Sequence, residues 1–408
     1  MKDSEIKVYG YRWVVLLIFA VLNIVIQIHW VTFAPITGEA AVYYSVTPLQ
    51  IGFLSMIFMI VYIVMAMPAS YIIDTYGIRI GIGTGALITG VFGFLKGAYA
   101  DSYSVVCVSQ VGLAVAQPFI LNSYTKVSAK WFPINERATA TGIAALAQYI
   151  GIIVAMAATP FLFSAYSMKG TLMIYGIISL AGALLFIIFI REEPPTPPCA
   201  QGQDERFSFF EGFRNIMKNR EMILLLVLFF IGLGMFNAVT TWIEQILVPR
   251  GFNSEQAGIA GAVMMAGGVL GASILPALSD KARKRKPFLI ICMACIVPGL
   301  AGLTFATGFT VLLMSSFVLG FFIMSAGPIG FQYGAEITFP SPESTSQGLI
   351  LLSGQISGII FIYGMDAFRA SGTGSMTPFM IVFVVLTLVN VGLCTRLKES
   401  DLITDQGN

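Results

Sequence analysis

Apolar residues run along this chain in long unbroken stretches, and polar residues collect in the short gaps between them. Twelve stretches are long enough to cross roughly 30 Å of hydrocarbon as helices, which takes about 20 residues each. They are 12–34, 49–72, 79–100, 104–126, 139–164, 171–190, 221–247, 255–279, 287–307, 311–337, 345–368 and 377–396. The runs lack the period-two alternation of barrel strands, so they predict helices. The longest polar interval, 191–220, has a Pro-rich start that reads as a linker. It separates 1–190 from 221–408, with six spans on either side. Its Phe-rich part, 207–217, is expected to form a short amphipathic helix on the membrane surface.

Composition sharpens this reading. Hydrophobic residues make up 57% of the 408 positions and charged residues only 11%, against about 25% charged in soluble proteins. A soluble chain this apolar would expose aggregating patches. An ordinary cytosolic enzyme, a nucleic-acid binder and a disordered protein are therefore excluded. The net charge of +2 gives no steering toward acidic partners, and five Cys do not make a disulfide framework. The expected fold is an all-α polytopic membrane protein.

Lys and Arg set the orientation. Of the 23, 19 fall on the side shared by the two termini; the others are Lys96, Lys169, Arg250 and Arg369. Both termini are thus expected to be cytoplasmic, in a multi-pass protein of the plasma (inner) membrane. No cleavable signal peptide is visible, since the first span is long and follows Lys2, Lys7 and Arg12.

The two halves echo each other. Pro68-Ala-Ser-Tyr-Ile-Ile-Asp74-Thr-Tyr-Gly77-Ile-Arg79 follows the second span, and Pro276-Ala-Leu-Ser-Asp280-Lys-Ala-Arg283 follows the eighth. Phe132-Pro133, Glu136-Arg137, Gly142, Gln148 and Gly151 correspond to Phe339-Pro340, Glu343, Gly348, Gln355 and Gly358, at offsets of 206 or 207 residues. Such an offset implies two homologous six-helix bundles. That is the architecture of the major facilitator superfamily, in which the solute binds near the midplane between the halves. Asp74 with Gly77 and Arg79 resembles the superfamily's signature between spans two and three. A carboxylate at such a turn can accept N–H bonds and pair with Arg. Asp74, Arg79, Asp280, Glu136 and Arg137 are accordingly expected to gate the cytoplasmic side. The plainer alternative is a charged loop that only sets topology.

Polar side chains at membrane depth usually face a cavity or another helix. Gln117 in span four and Gln355 in span eleven lie near mid-depth, one per half, and Asn237 lies in span seven. These amides suit a neutral hydrogen-bonding site, with helix–helix glue as the alternative. Asn122 and Gln148 are further candidates. Trp30 offers a ring face to a cation or belongs to the interfacial aromatic belt. Trp242, Tyr124 and Tyr363 could add aromatic walls. His29 is the one histidine, which excludes a His-based metal site; it is a proton relay or a structural side chain. The spans of the first half hold no carboxylate, while Glu244, Asp366 and Glu336 lie near span ends in the second. That distribution favours facilitated diffusion over proton coupling. Cys292 and Cys295 read as core packing, Gly81, Gly83 and Gly85 as close helix contact, and no Walker motif is present. No cofactor or metal is expected.

A closer resemblance is carried by Tyr11-Arg12-Trp13-Val14-Val15-Leu16, Leu54-Ser55-Met56-Ile57, Val115-Ala116-Gln117, Phe119-Ile120-Leu121, Trp131-Phe132, Asn135-Glu136, Ala335-Glu336-Ile337-Thr338-Phe339-Pro340, and Gly348-Leu349 through Gln355 to Gly358-Ile359-Ile360-Phe361. In these strings and over nearly all twelve spans, the chain resembles the feline leukaemia virus subgroup C receptor-related transporters. That resemblance implies uptake of choline or ethanolamine, with haem export as a further activity described for the family. It implies a quaternary-ammonium site built from Trp, Gln, Tyr and Gln on spans one, four, seven and eleven. Trp30, Gln117 and Gln355 match three of these; the fourth position is Asn237, preceded by Phe236, which removes one aromatic wall. The short soluble ends look prokaryotic beside the family's long termini.

The reading is a membrane transporter working by alternating access on a small organic solute, an amine or zwitterion, with no enzymatic activity. Its expected partners are that solute and the lipid bilayer, with no nucleic acid, and a monomer is expected. Alternatives are a proton-coupled carrier of a carboxylate or drug-like molecule, a haem exporter, and a non-transporting receptor or sensor.

Overall fold

The computed structural model describes residues 8–133, 136–196, 218–338, 343–370 and 372–399. The helix expected at 207–217 lies outside them. The described residues form helices and connecting turns, without a strand. Two compact units divide the chain, Met1–Asp204 and Glu205–Asn408.

The first unit begins with α1 (Tyr11–Val31), a 3₁₀ turn (Ala34–Ile36) and α2 (Thr37–Tyr44). Then come α3 (Pro48–Ala98), α4 (Tyr103–Leu121), α5 (Tyr124–Trp131) and α6 (Arg137–Phe189). Helix α3 starts cleanly because Thr47 and Gln50 form a capping box and Pro48 occupies the first turn. Its 51 residues would rise about 75 Å as one rod, far beyond a bilayer. Gly77, at φ 88, breaks it between the expected second and third spans. Helix α6 is broken likewise at Ser167, φ 58, between the expected fifth and sixth.

The second unit holds α7 (Arg220–Thr241), the short α8 (Ile243–Leu247), α9 (Ser254–Ala282) and α10 (Lys286–Phe305). It closes with α11 (Phe309–Ile337), α12 (Glu343–Ala367) and α13 (Thr377–Thr395). Packing repeats between the units. In the first, α3 packs on α4 and on α6, and α1 packs on α6. In the second, α9 and α10 pack on α11, α10 on α13, and α7 on α12.

Eleven helical segments among the described residues are long and apolar enough to cross a membrane. One of them, Thr139–Phe189, contains the break at Ser167. Three expected spans differ in detail. Span one ends as helix at Val31, and its apolar course continues to Tyr44. Span four stops at Leu121, because Asn122 turns its amide onto the neighbouring helix. Span seven stops at Thr241 and restarts at Ile243. Large apolar side chains such as Leu17, Val64 and Ile188 are about two-thirds exposed, a surface suited to acyl chains rather than water.

Small residues set the closest helix contacts. A Cβ added at Gly320 on α11 would overlap the Met264 carbonyl of α9, whereas Gly232 on α7 has open space. Gly320→Ala is expected to lower stability by about 1–3 kcal/mol, with Gly232→Ala unchanged or slightly better. Thermal midpoints of the two purified variants test this; equal midpoints would contradict the packing.

Candidate functional site

Helix α1 carries a polar row inside the first unit. Asn23, Gln27 and Trp30 follow one another at spacings of four and three, which puts them on one face. All three are buried, with Trp30 8% exposed. Asn23 donates to the Phe19 carbonyl at 2.9 Å, and Gln27 donates to Gln148 Oε1 on α6 at 3.2 Å. Three polar atoms of the row remain without a hydrogen-bond partner: Asn23 Oδ1, Gln27 Oε1 and the indole Nε1 of Trp30. On α4, Gln117 is 6% exposed and its side chain makes no hydrogen bond among the described residues. The Tyr124 hydroxyl on α5 is also buried without a partner, its ring packed edge-on against Phe19 at 5.7 Å. A buried polar group left unpaired costs about 1–3 kcal/mol. A concentration of such groups marks where a solute or water supplies the missing partner.

The other polar side chains differ in how far they are engaged. Asn122 donates to the Ala66 carbonyl and to Ser70 Oγ at 3.1 and 3.0 Å, and accepts from the Tyr62 hydroxyl at 2.9 Å. That is interhelical glue. His29 is fully buried with Nε2 2.5 Å from Ser179 Oγ. In the second unit, Asn237 donates to the Gly354 carbonyl at 3.2 Å. Gln355, the next residue on α12, is half-buried and its side chain makes no hydrogen bond among the described residues. Trp242 is fully buried, donates to the Ile362 carbonyl at 3.0 Å, and already carries a cation: the Arg369 guanidinium sits 5.1 Å from its ring centre. Arg369 is held there by Asp366 at 2.7 Å and Gln245 at 2.8 Å. Tyr363 is 59% exposed.

The Lys- and Arg-rich ends contain carboxylates that sequence inspection passed over. After the break at Gly77, the N–H groups of Ile78 and Arg79 point out unpaired, as at any helix start. Glu192, just beyond α6, accepts both, at 3.1 and 2.7 Å, and pairs with Lys130. Burial alone would raise its pKa, but Lys130 and the two N–H donors outweigh burial and lower it. The second unit repeats this with Glu399, which accepts from the N–H groups of Arg285 and Lys286 at 2.7 and 3.3 Å. Arg285 also pairs with Asp280 and, at 2.9 Å, with Glu336. Burial opposes its charge, yet the two carboxylates prevail and raise its pKa. Glu136 pairs with Arg12 at 2.9 Å. The Arg79 side chain is exposed and contributes its backbone N–H rather than its charge to Glu192. The side chains of Asp74, Arg137 and Glu343 lie outside the described residues. Among the described residues no group of His, Cys, Asp and Glu could hold a metal ion.

The major facilitator superfamily pattern matches residues 9–362. The chain belongs to that superfamily. It is 31% identical to solute carrier family 49 member A3 of Danio rerio, over 96% of this chain and 86% of that protein. It is 28% identical to the choline/ethanolamine transporter FLVCR1 of Mus musculus, over 92% of this chain and 74% of that one. A bacterial homolog of the human lysosomal transporter Spinster, in an inward-facing and unoccupied conformation, matches in fold with a TM-score of 0.76. Its sequence identity is 17%, covering 95% of this chain and 97% of that one. The protein is therefore a multi-pass membrane transporter, and its fold fits alternating access.

Glu192 yields a pH-dependent expectation. Its lowered pKa means its contribution is present above the ordinary carboxylate pKa and is lost as pH falls through the folded value. Glu192→Gln should cost about 1–3 kcal/mol near neutral pH and flatten the loss of thermal midpoint on acidification. A midpoint with the wild-type acid slope would contradict this role.

Proposed function

We propose that the protein moves a small organic amine or zwitterion, of the choline or ethanolamine kind, by facilitated diffusion. The observation that carries this is the unpaired polar row around Trp30: a buried indole with no cation on its ring, flanked by neutral hydrogen-bonding groups and, among the described residues, with no carboxylate in hydrogen-bond contact. An aromatic face attracts a desolvated cation without needing a counter-charge. Neutral amides then supply orientation. Trp30 and Gln117 in the first bundle and Gln355 in the second are the groups assigned to binding. Gln27 joins them, because its Oε1 lacks a partner and shares the face of Trp30. The chain's similarity to FLVCR1, a choline/ethanolamine transporter, supports the same class of solute. Haem and other polyanions are disfavoured because no Lys or Arg belongs to this polar row.

In this reading the bundles are 1–190 and 221–408, joined by the 191–220 linker, with twelve spans in all. Both termini face the cytoplasm of a cell whose plasma membrane holds the protein as a monomer. Asp74, Arg79 and Asp280 belong to the cytoplasmic gate, with Glu192 and Glu399 as their anchoring carboxylates.

Thermal stabilisation of purified protein against amines, betaines, carboxylates and haem tests the substrate class, since a ligand of the folded state raises the midpoint by mass action. Choline-like compounds are expected to raise it, and Trp30→Ala to weaken binding about tenfold or more. Shifts only with carboxylates or haem would overturn the reading. Asp74→Asn is expected to slow solute exchange in liposomes with little change in affinity. An unchanged rate would reduce that residue to setting topology.

A further inference from the structure

The transport reading leaves one buried charge unused. Lys96 lies in the last turn of α3 and is 0% exposed. Counting charges by side assigned it to a membrane surface, but the fold seals it inside the first bundle. Its Nζ donates to Gln110 Oε1 on α4 at 3.2 Å and sits 5.1 Å from the ring centre of Phe33. The Gln110 amide is fixed in that orientation, because its nitrogen donates to the carbonyls of His29 and Leu54 at 3.3 and 3.2 Å. Among the described residues no carboxylate lies within ion-pair distance of Lys96. The neighbouring titratable group is His29 on α1, whose Nε2 meets Ser179 on α6 and whose Nδ1 is buried without a partner. Helix α4 otherwise presents Cys107 one turn before Gln110, and α6 presents Tyr175, which is bonded to Thr159. Glu39 lies in the first turn of α2.

An ammonium with one neutral acceptor and a ring face keeps little of what water gives it. A neutral amine carries no such penalty. The charged form therefore gains when water reaches the α3–α4 end of the bundle, and the neutral form gains when that end is sealed. We propose that Lys96, with His29 beside it, is a proton-binding site of the first bundle whose occupancy favours opening of the α3–α4 end. The step is a proton transfer between water and the Lys96 amine, in which only an N–H bond forms or breaks. Reciprocal linkage follows: opening promotes proton uptake as much as protons promote opening. The inference does not depend on which solute is carried.

The test uses the ligand-free full chain, so it stands or falls separately from the amine reading. Amide hydrogen exchange of peptides spanning 88–112 is measured and divided by intrinsic rates at each pH. Protection in the wild type is expected to fall by about fivefold or more between about pH 9 and about pH 6, a typical size of coupling. Lys96→Met should show a flat profile. A flat wild-type profile, or a Lys96→Met profile equal to wild type, would overturn the site. Should Lys96→Met fail to fold, Gln110→Leu keeps the question open to decision. Losing the one acceptor should steepen the pH response, and an unchanged response overturns the proposal.

Discussion

Two carboxylates hold the breaks on which both bundles depend. A helix that stops and restarts at the membrane surface leaves N–H groups without partners, and in low dielectric those are expensive. Glu192 closes the restart after Gly77 and Glu399 closes the start of α10. Each lies just beyond the last span of its own unit, so the end of a bundle is tied to its second-to-third-span turn or the equivalent turn. The two are 207 residues apart, the same offset as the repeated motifs. The repeat is therefore a repeat of an interaction as well as of helices. A Cβ at Gly77 would collide with the Glu192 carboxylate, so the positive φ and the close anion call for the same residue.

The spans were legible because the bilayer imposes length and hydropathy directly on sequence. The break at Gly77 was legible for a similar reason, since a Gly in a charged interval between two apolar runs can only be a turn. Ser167 was not, because nothing in its composition marks a positive φ. Glu192 was absorbed into a Pro-rich linker, since a carboxylate becomes an anchor only through what folds against it. Lys96 misled for the opposite reason. In an apolar run a single Lys reads as an end marker, and only packing of Gln110 and Phe33 around it reveals that it is sealed.

The amides show where sequence reasoning about membrane sites stops. Asn122, Gln148 and Gln117 look alike on paper, as polar groups in apolar helices. Their partners separate them. Asn122 satisfies donors and acceptor on the helix it faces, and Gln148 takes one bond from Gln27. Gln117 takes none. Gln27 went unnoticed in the sequence because its role comes from standing one turn before Trp30 with a free oxygen.

Trp242 and Trp30 make the same distinction in cation–π terms. Trp242 and Trp30 are equally plausible cages by residue type. Trp242 spends its N–H on the Ile362 carbonyl and its face on Arg369, so an incoming ammonium would have to displace a guanidinium that two further groups hold in place. Trp30 has neither commitment: its indole N–H is unpaired, and no Arg or Lys of the described residues sits on its ring. A ring can recognise a cation only where no cation already occupies it, which is why the proposed site draws its aromatic wall from Trp30 of the first bundle rather than from Trp242.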